Sequence, residues 1–482
     1  MVVNIFKALK NKYDCMSIVA KATIWFILCN ILQKAISLIT TPLFTRLMST
    51  QQYGQFSVYS SWLQIFSVIT TLRLSGAVFN KGMSKYKDDR NTYTSTMQLV
   101  TFSLTLIVFF IYLILKDQIN NIIELPTFII VAIFIELLFT PAIEFWMVKK
   151  RYEYCYKQVV FVTIIMSILN SIIGVIAVLI TVNKGYARII SCVLVNVIFG
   201  FFIFIYNLKE SNIKFKKEYA LYAIMFNLPL LLHYFSQFIL DQFDRIMVQK
   251  MVGMAAAGIY SIAYNIGLLL RIITTSINNA IVPWQYERLE RKEYKKLDDT
   301  LFFVYILVAG FSFLLSCMAP EIMHILADQK YYEGIYVVPP VALGLFFSFM
   351  YTMYANVEFF YEKNKFSMYI SCLGAAINII LNYIGIRMFG YIAAAYTTLI
   401  CYIIFAFGHY FYTCLIIKKN ENIKRPFKST RLLILSLLVV LMGLIIIEFY
   451  EVSIIRYGMV LFICLCLFLK KGKIFSTFEC MK

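Results

Sequence analysis

Residues 158–181 read QVVFVTIIMSILNSIIGVIAVLIT, a run of 24 residues without a charged side chain. The hydrocarbon core of a bilayer is about 30 Å thick, so a helix needs about 20 mainly apolar residues to cross it. A helix also satisfies its backbone N–H and C=O groups internally, which the bilayer interior requires. The stretch therefore predicts a transmembrane helix.

The same pattern recurs along the whole chain. Of 482 residues, 61% are hydrophobic and 15% are charged, whereas an ordinary soluble domain carries roughly 25% charged residues. The sequence thus predicts an all-α integral membrane protein with about 14 transmembrane helices. The predicted segments are 18–45, 56–79, 93–115, 123–147, 158–181, 187–207, 219–243, 256–283, 300–318, 335–360, 367–386, 391–417, 431–449 and 452–469.

Lysine and arginine are distributed unevenly between the connections. With the N-terminus in the cytoplasm, the termini and the even-numbered connections hold 33 of the 45 Lys and Arg residues. Because basic residues concentrate on the cytoplasmic side, this bias predicts that both termini are cytoplasmic. The net charge of +19 then follows from topology, and we expect no nucleic-acid partner. The odd-numbered connections hold nine basic residues: Arg46, Lys116, Lys184, Arg188, Arg245, Lys250, Lys330, Arg387 and Arg456.

No catalytic or metal-binding motif is visible in the sequence. The eleven cysteines and three histidines follow no metal-ligand spacing. The longest connections, about 284–299 and 319–334, have fewer than twenty residues each and leave little room for a catalytic domain. We therefore expect a transporter that is not an enzyme and holds no metal or cofactor. Coupling to protons, to sodium ions or to neither stays open.

Weak internal similarity indicates a duplication. Residues 46–57 align with 250–261, and residues 144–146 align with 358–360. Six helices separate the paired positions, so the two halves point the same way, as in transporters built from parallel repeats. The predicted domains are an N-terminal six-helix lobe at 1–210, a C-terminal six-helix lobe at 211–420, and two accessory helices with a cytoplasmic tail at 421–482.

Several motifs resemble a known transporter family. Residues 40–56, TTPLFTRLMSTQQYGQF, resemble the first-helix signature of Wzx-type flippases for polysaccharide and O-antigen repeat units. Asp244-Arg245-Ile246-Met247 before Gly258-Ile259-Tyr260-Ser261 resembles their seventh-to-eighth helix junction. Asn378-x3-Asn382 and residues 390–395 resemble the junction between their eleventh and twelfth helices. These flippases belong to the multidrug/oligosaccharidyl-lipid/polysaccharide exporter superfamily.

The resemblance carries further expectations. It implies two six-helix lobes around a central cavity, plus two trailing helices. It implies a substrate of undecaprenyl-diphosphate-linked oligosaccharide, moved from the inner to the outer leaflet of the bacterial cytoplasmic membrane for O-antigen, capsule or exopolysaccharide assembly. A polysaccharide polymerase and a chain-length regulator are the protein partners that it implies.

Basic residues inside predicted spans are the candidates for substrate binding. Ionisable groups at that depth are costly and usually face a bundle interior or an aqueous cavity. Lys34, Arg73 and Arg271 lie inside spans, and Arg46 ends the first one. Fixed cations would compensate a diphosphate, and the planar fork of arginine matches phosphate oxygens. Ion pairs with buried carboxylates, or snorkelling of the side chains, are the structural alternatives.

Four carboxylates also fall within predicted spans: Glu136, Glu144, Asp241 and Glu358. We interpret Asp241 as the ion-coupling candidate, and the neighbouring Asp244 could share this role. The alternative for Asp244 is an ion pair with Arg245 or Lys250. Glu144 and Glu358 recur at the repeat offset beside Lys149 and Lys363, which favours a structural ion pair or cap.

Pro229 lies within the seventh segment. Because proline removes one backbone hydrogen bond, a kink is expected there. The kink is a hinge candidate.

Three other functions compete with the flippase. A cation-coupled drug or metabolite exporter of the same superfamily is one, although its usual twelve spans disagree with fourteen. A peptidoglycan-precursor flippase is another. A membrane-embedded glycan polymerase is disfavoured by the short connections.

Overall fold

The computed structural model describes residues 16–363, 365–421, 423, 426–469 and 472. All regular secondary structure in this part of the chain is helical. Residues 1–15 and 473–482, which belong to the predicted cytoplasmic termini, lie outside the described residues. The chain divides into two compact units, residues 1–235 and 236–482.

The first unit contains nine complete helices within the described residues, and a tenth crosses its end. The helices are α1 (Ile18–Leu47), α2 (Thr50–Thr71), α3 (Ala77–Lys85), α4 (Arg90–Ile114), α5 (Lys116–Ile123), α6 (Thr127–Tyr152), α7 (Tyr156–Ile180), α8 (Lys184–Glu210), α9 (Lys217–Asn227) and α10 (Leu231–Phe238). The most extensive packing in this unit joins α6 to α8, followed by α1 to α7 and α7 to α8.

The second unit is built around α16 and α18, which make its largest helix–helix contact. Its helices are α11 (Asp244–Met251), α12 (Met254–Gly267), α13 (Leu269–Glu290), α14 (Tyr294–Cys317), α15 (Ala319–Leu326), α16 (Val338–Phe360), α17 (Lys365–Phe389), α18 (Ala393–Glu421), α19 (Ser429–Glu448) and α20 (Ser453–Leu469). The two trailing helices pack within this unit, α19 against α14 and α16, and α20 against α14.

All fourteen predicted segments coincide with helices in the described residues. Eleven helices there are long and apolar enough to cross a membrane, and the bent helix pair within 217–251 makes a twelfth if the pair is counted as one span. The other two segments correspond to α2, which carries many Ser, Thr and Gln residues, and to α20, which has 17 residues. The predicted all-α membrane class is confirmed.

The first connection has a local cause in the sequence. Ser49 caps the start of α2: its hydroxyl accepts from the backbone N–H of Gln52 at 3.2 Å, and Gln52 Oε1 accepts from the backbone N–H of Ser49 at 3.0 Å. This reciprocal pair satisfies two orphan donors and fixes the start of the second helix. Part of the 40–56 motif therefore encodes a helix junction.

The second predicted span ends earlier than its apolar run suggests. Helix α2 stops at Thr71, and Leu72 and Arg73 adopt left-handed backbone angles with φ of 48° and 52°. Asn227 Nδ2 donates to the Leu72 carbonyl at 2.5 Å, which satisfies a group that the helix end leaves unpaired. Arg73 thus lies in a turn after the helix, and its predicted position inside a span is wrong.

The seventh span is broken twice. Residues Leu228–Leu230 form a 3₁₀ turn containing Pro229, and Ile239–Phe243 form a π-helical turn. Proline explains the first break because it cannot donate a backbone hydrogen bond. The division between the units falls at 235/236, between these two breaks. The predicted lobe boundary at 210/211 lies before this helix.

Candidate functional site

The centre of the candidate site is an ion pair in the second unit. Arg271, on α13, donates from Nη2 to Asp241 Oδ1 at 2.8 Å and from Nη1 to Oδ2 at 3.4 Å. Asp241 lies in the π-helical turn between α10 and α11. Such turns occur frequently at functional sites. The Arg271 side chain is 40% exposed and that of Asp241 is 32% exposed, so the pair borders open space.

The pair lines a polar cavity of about 230 Å³. The Tyr402 hydroxyl lies 3.5 Å from Asp241 Oδ1. The Thr275 hydroxyl donates to the Arg271 carbonyl at 2.6 Å. The lining residues are Gln237, Asp241, Arg271, Thr274, Thr275, Asn278, Leu345, Ser348, Phe349, Tyr351, Thr352 and Tyr402. Hydroxyls, amides, one guanidinium and one carboxylate, together with Leu345 and Phe349, therefore surround a space large enough for a small polar group.

The sequence-based alternative for Arg271, a pair with a carboxylate, is what the structure contains. In this structure Asp241 compensates the charge of Arg271 by accepting two roughly parallel hydrogen bonds, which is the geometry that a guanidinium favours. The same fork would match phosphate oxygens. A role in substrate binding for Arg271, and in ion coupling for Asp241, stays a prediction.

Asp244 occupies a second, fully enclosed polar cluster in the same unit. It is 1% exposed. Its carboxylate accepts from the Tyr260 hydroxyl at 2.8 Å, from Asn382 Nδ2 at 2.7 Å and from the Thr398 hydroxyl at 2.9 Å. Asn378 completes the cluster by donating to Thr398 at 3.0 Å. Four neutral side chains thus surround one carboxylate.

The predicted pairing of Asp244 with Arg245 or Lys250 is wrong. Arg245 is buried and bonds to the Gln242 side chain and the Asp241 carbonyl. Its guanidinium also lies 4.7 Å from the centre of the Tyr264 ring. Neighbours in sequence project in different directions on a helix, so Arg245 turns away from Asp244.

The predicted basic residues of the first unit are exposed and well separated. Lys34 and Arg46 lie on α1, about 18 Å apart along the axis at 1.5 Å per residue. Arg73 is exposed in the turn after α2. Among the described residues, no hydrogen bond or ion pair joins these three side chains to one another, and their share in a cationic cavity stays a prediction.

The repeat-related glutamates do not behave symmetrically. Glu144 is exposed and accepts a hydrogen bond from the Ser75 hydroxyl. Glu358 is fully buried, and its Oε1 lies 2.8 Å from His409 Nδ1. Lys149 pairs with Glu210 instead of Glu144. The two glutamates therefore have unrelated partners, Ser75 in the turn after α2 and His409 on α18, and their role as a structural ion pair or cap stays a prediction.

Two groups in the first unit gain importance only in the structure. Arg188, which the charge count places in a connection, lies in α8 against the rings of Phe44 and Phe56 at 4.3 and 5.0 Å. Glu136 is buried at 3% exposure in a hydrogen-bonded network. The sequence signal for Glu136 was only its position inside an apolar run.

The fold and the enclosed polar groups are those of a multi-pass membrane protein. Comparison with known proteins then identifies the family. Residues 19–288 match the family described as polysaccharide biosynthesis protein, and residues 229–384 match the MatE family. The chain belongs to the polysaccharide biosynthesis protein family.

Two curated proteins are similar to this chain over most of its length. The chain is 25% identical over 381 residues to Lsg locus putative protein 1 of Haemophilus influenzae, covering 74% of this chain and 89% of the relative. It is 22% identical over 374 residues to an uncharacterized membrane protein of the same organism, covering 75% and 89%.

Solved structures share the fold. The lipid II flippase MurJ, in an inward closed conformation, aligns with a TM-score of 0.65 and 16% identity over 94% of this chain and all of the other. An inward-facing multidrug resistance MATE family transporter aligns with a TM-score of 0.57 and 13% identity, covering 81% and 96%. At these identities the likeness concerns the fold alone.

Proposed function

We propose that this protein is a flippase that moves undecaprenyl-diphosphate-linked oligosaccharide repeat units from the inner to the outer leaflet of the bacterial cytoplasmic membrane. The observation that carries the proposal is Arg271, a guanidinium held by Asp241 at the edge of a polar cavity. Membership of the polysaccharide biosynthesis protein family supports the substrate class.

The ion pair suits a passenger with a diphosphate. A basic residue at the centre of a spanning helix costs about 2.5–3.5 kcal/mol on insertion scales, so Arg271 needs compensation when the cavity is empty. Asp241 provides it. An arriving diphosphate carries more charge than one carboxylate and accepts the same two parallel N–H bonds, so it exchanges with Asp241. Release of the substrate restores the pair.

Three further basic residues belong to the proposal. Lys34, Arg46 and Arg73 are exposed in the first unit, where they would meet the diphosphate or acidic sugars during passage. Alternating access requires a flexible connection, and the 3₁₀ turn containing Pro229 lies close to the division between the units. We assign the hinge to this turn.

Coupling to protons or sodium ions is a second part of the proposal. Asp241 is engaged by Arg271, which reduces its capacity to bind a cation. Asp244 is the stronger candidate, because this buried carboxylate accepts hydrogen bonds from the neutral Tyr260, Asn382 and Thr398 side chains and has no cationic partner in contact among the described residues. Uptake of a proton or another cation there would compensate its charge. This observation also favours the alternative of a cation-coupled exporter.

The membrane arrangement follows from the charge bias. We place both termini in the cytoplasm, since 33 of 45 basic residues then lie on that side. A polysaccharide polymerase and a chain-length regulator would act on the delivered repeat units for O-antigen, capsule or exopolysaccharide assembly.

Deletion of the gene tests the proposal. We expect an undecaprenyl-diphosphate-linked oligosaccharide to accumulate on the inner leaflet, as measured by mass spectrometry of extracted lipids. Complementation by the wild type and by Arg387→Ala, an exposed arginine at the end of α17, should clear it. Accumulation of a peptidoglycan precursor would favour that alternative. No accumulated lipid, with altered drug sensitivity, would favour the exporter.

A further inference from the structure

Glu136 is a buried carboxylate that the proposed substrate path does not use. It lies near the middle of α6 and is 3% exposed. The Tyr59 hydroxyl, from α2, donates to Oε2, and Asn196 Nδ2, from α8, donates to Oε1 at 2.8 Å. Among the described residues, no ion pair includes Glu136. Both carboxylate oxygens therefore rely on neutral donors.

The groups around Glu136 carry no positive charge. Asn196 Nδ2 also lies 3.7 Å from Cys192 Sγ on α8. Helix α4 packs against α6 through aromatic pairs, Phe102 with Phe139 and Phe109 with Phe134. The titratable side chains that face the carboxylate from neighbouring helices are thus Tyr59 and Cys192. An ionised carboxylate in such a setting is costly, and protonation removes that cost.

A chain of hydrogen bonds leads from Glu136 towards the nearest arginine of α8. Asn170 Nδ2, on α7, donates to Asn196 Oδ1 at 3.2 Å, and Arg188 Nη1 donates to the Asn170 carbonyl at 2.8 Å. Arg188 and Asn196 are eight residues apart, about 12 Å along the helix axis. Arg188 is therefore linked to Glu136 through amides without contacting it.

The donor set favours a proton over a metal ion. Sodium and other hard cations need several oxygen ligands directed at one point. Here a hydroxyl and an amide NH₂ already point at the two carboxylate oxygens, and a thiol is the next neighbour. Within the described residues no group of three His, Cys, Asp or Glu side chains could hold a metal ion.

We propose that Glu136 is a proton-binding site of the first unit and that its protonation is linked to transport. In the ionised form the carboxylate accepts from Tyr59 and Asn196, as observed. A proton taken from water turns one oxygen into a donor, and the Asn196 amide rotates so that Oδ1 accepts from it. That rotation breaks the bond from Asn170, which carries the change to the helix pair α7 and α8.

The proton site is tested without any substrate. We would reconstitute the full chain in lipid nanodiscs and follow carboxyl absorption by infrared difference spectroscopy across a pH titration. Glu136→Gln should abolish one protonated-carboxyl band. Glu144→Gln, an exposed glutamate on the same helix, should leave that band in place. Tyr59→Phe should move its midpoint upward by about one pH unit, because the ionised form loses a hydrogen bond.

The link to transport is tested separately and rests on the proposed function. The rate of glycan export should depend on pH in the wild type, and this dependence should flatten in Glu136→Gln while it persists in Glu144→Gln. A carboxyl band that survives in Glu136→Gln overturns the proton site. If Glu136→Gln loses the carboxyl band but keeps the pH dependence of glycan export seen in the wild type, the link between protonation and transport is overturned. If the wild type moves no lipid-linked glycan, the proposed function fails, while the titration still decides the site.

Discussion

The Arg271–Asp241 pair permits a test that separates substrate binding from structural support. Arg271→Ala leaves Asp241 without its cation, and Asp241→Asn leaves Arg271 without its anion. At the observed 2.8 Å, Coulomb's law gives about 1.5 kcal/mol for a dielectric of 80 and about 6 kcal/mol for a dielectric of 20. Because both side chains are about a third exposed or more, we expect the lower end, about 2 kcal/mol, for the loss of either partner.

The double variant Arg271→Ala/Asp241→Asn removes both charges together. Its stability should be close to that of either single variant, because the two changes share one interaction and are not additive. The assay is a double-mutant cycle on the free energy of unfolding, measured from thermal or denaturant unfolding in detergent with matched protein levels. A coupling free energy of about 1–2 kcal/mol is the expected result.

Transport should respond differently from stability. If Arg271 binds the diphosphate, the double variant stays inactive in glycan export. Its loss of stability is nevertheless smaller than the sum of the losses in the two single variants. Arg271→Lys should retain partial activity, since it keeps the charge and loses the bidentate fork. Recovery of export in the double variant to near the wild-type level would refute the binding role and leave the pair purely structural.

Three further predictions concern the membrane topology, a buried hydrogen bond and an ion pair. In a cysteine-free background, a cysteine at Lys292 should be labelled only from the cytoplasm and one at Asp328 only from outside. Glu358→Gln should lower stability by about 1–3 kcal/mol and reduce membrane abundance more than export per folded molecule, because it disturbs a buried hydrogen bond. Arg456 Nη1 lies 2.7 Å from Glu321 and, despite the opposing effect of burial, holds the pKa of Glu321 below its usual value. The stability from this pair is therefore present above about pH 4.3 and is lost on acidification through the lowered pKa, as thermal unfolding at several pH values would measure.

Two of these predictions have a matched control variant. Glu144→Gln, at the exposed repeat-related position, should leave abundance unchanged. Arg456→Ala should remove the acid-sensitive part of the stability. Labelling from the opposite sides would reverse the proposed orientation, and normal abundance with no export in Glu358→Gln would make Glu358 functional. A pH dependence that persists in Arg456→Ala would assign it to other groups.

Much of the fold was predictable because the bilayer acts locally on the chain. A spanning helix must be apolar over about 20 residues whatever its neighbours are, so most of the fourteen segments could be read from hydropathy alone. The junction at Ser49 and Gln52 is also local, since both capping partners lie three residues apart. The break at Leu72 was missed, because the apolar run continues past the helix end that Asn227 stabilises from 155 residues away.

The candidate site was predictable only as a set of residue types in unusual places. The position of Arg271 inside an apolar run marked it as functional or paired, and a cationic residue at that depth requires one or the other. The sequence also marked Asn378 and Asn382, whose spacing of four residues places both on one face of α17. Asn382 donates to Asp244, which lies 138 residues away, while Asn378 donates to Thr398.

The choice of partners was decided by the tertiary structure. Asp244 and Arg245 are adjacent in sequence, yet one is held by Tyr260, Asn382 and Thr398 while the other turns to Gln242 and the ring of Tyr264. Hydropathy is a property of each segment by itself, so the sequence determined which parts of the chain enter the membrane. The partner of a buried charge depends on which helix faces pack together, and that is set by contacts among residues far apart in the chain.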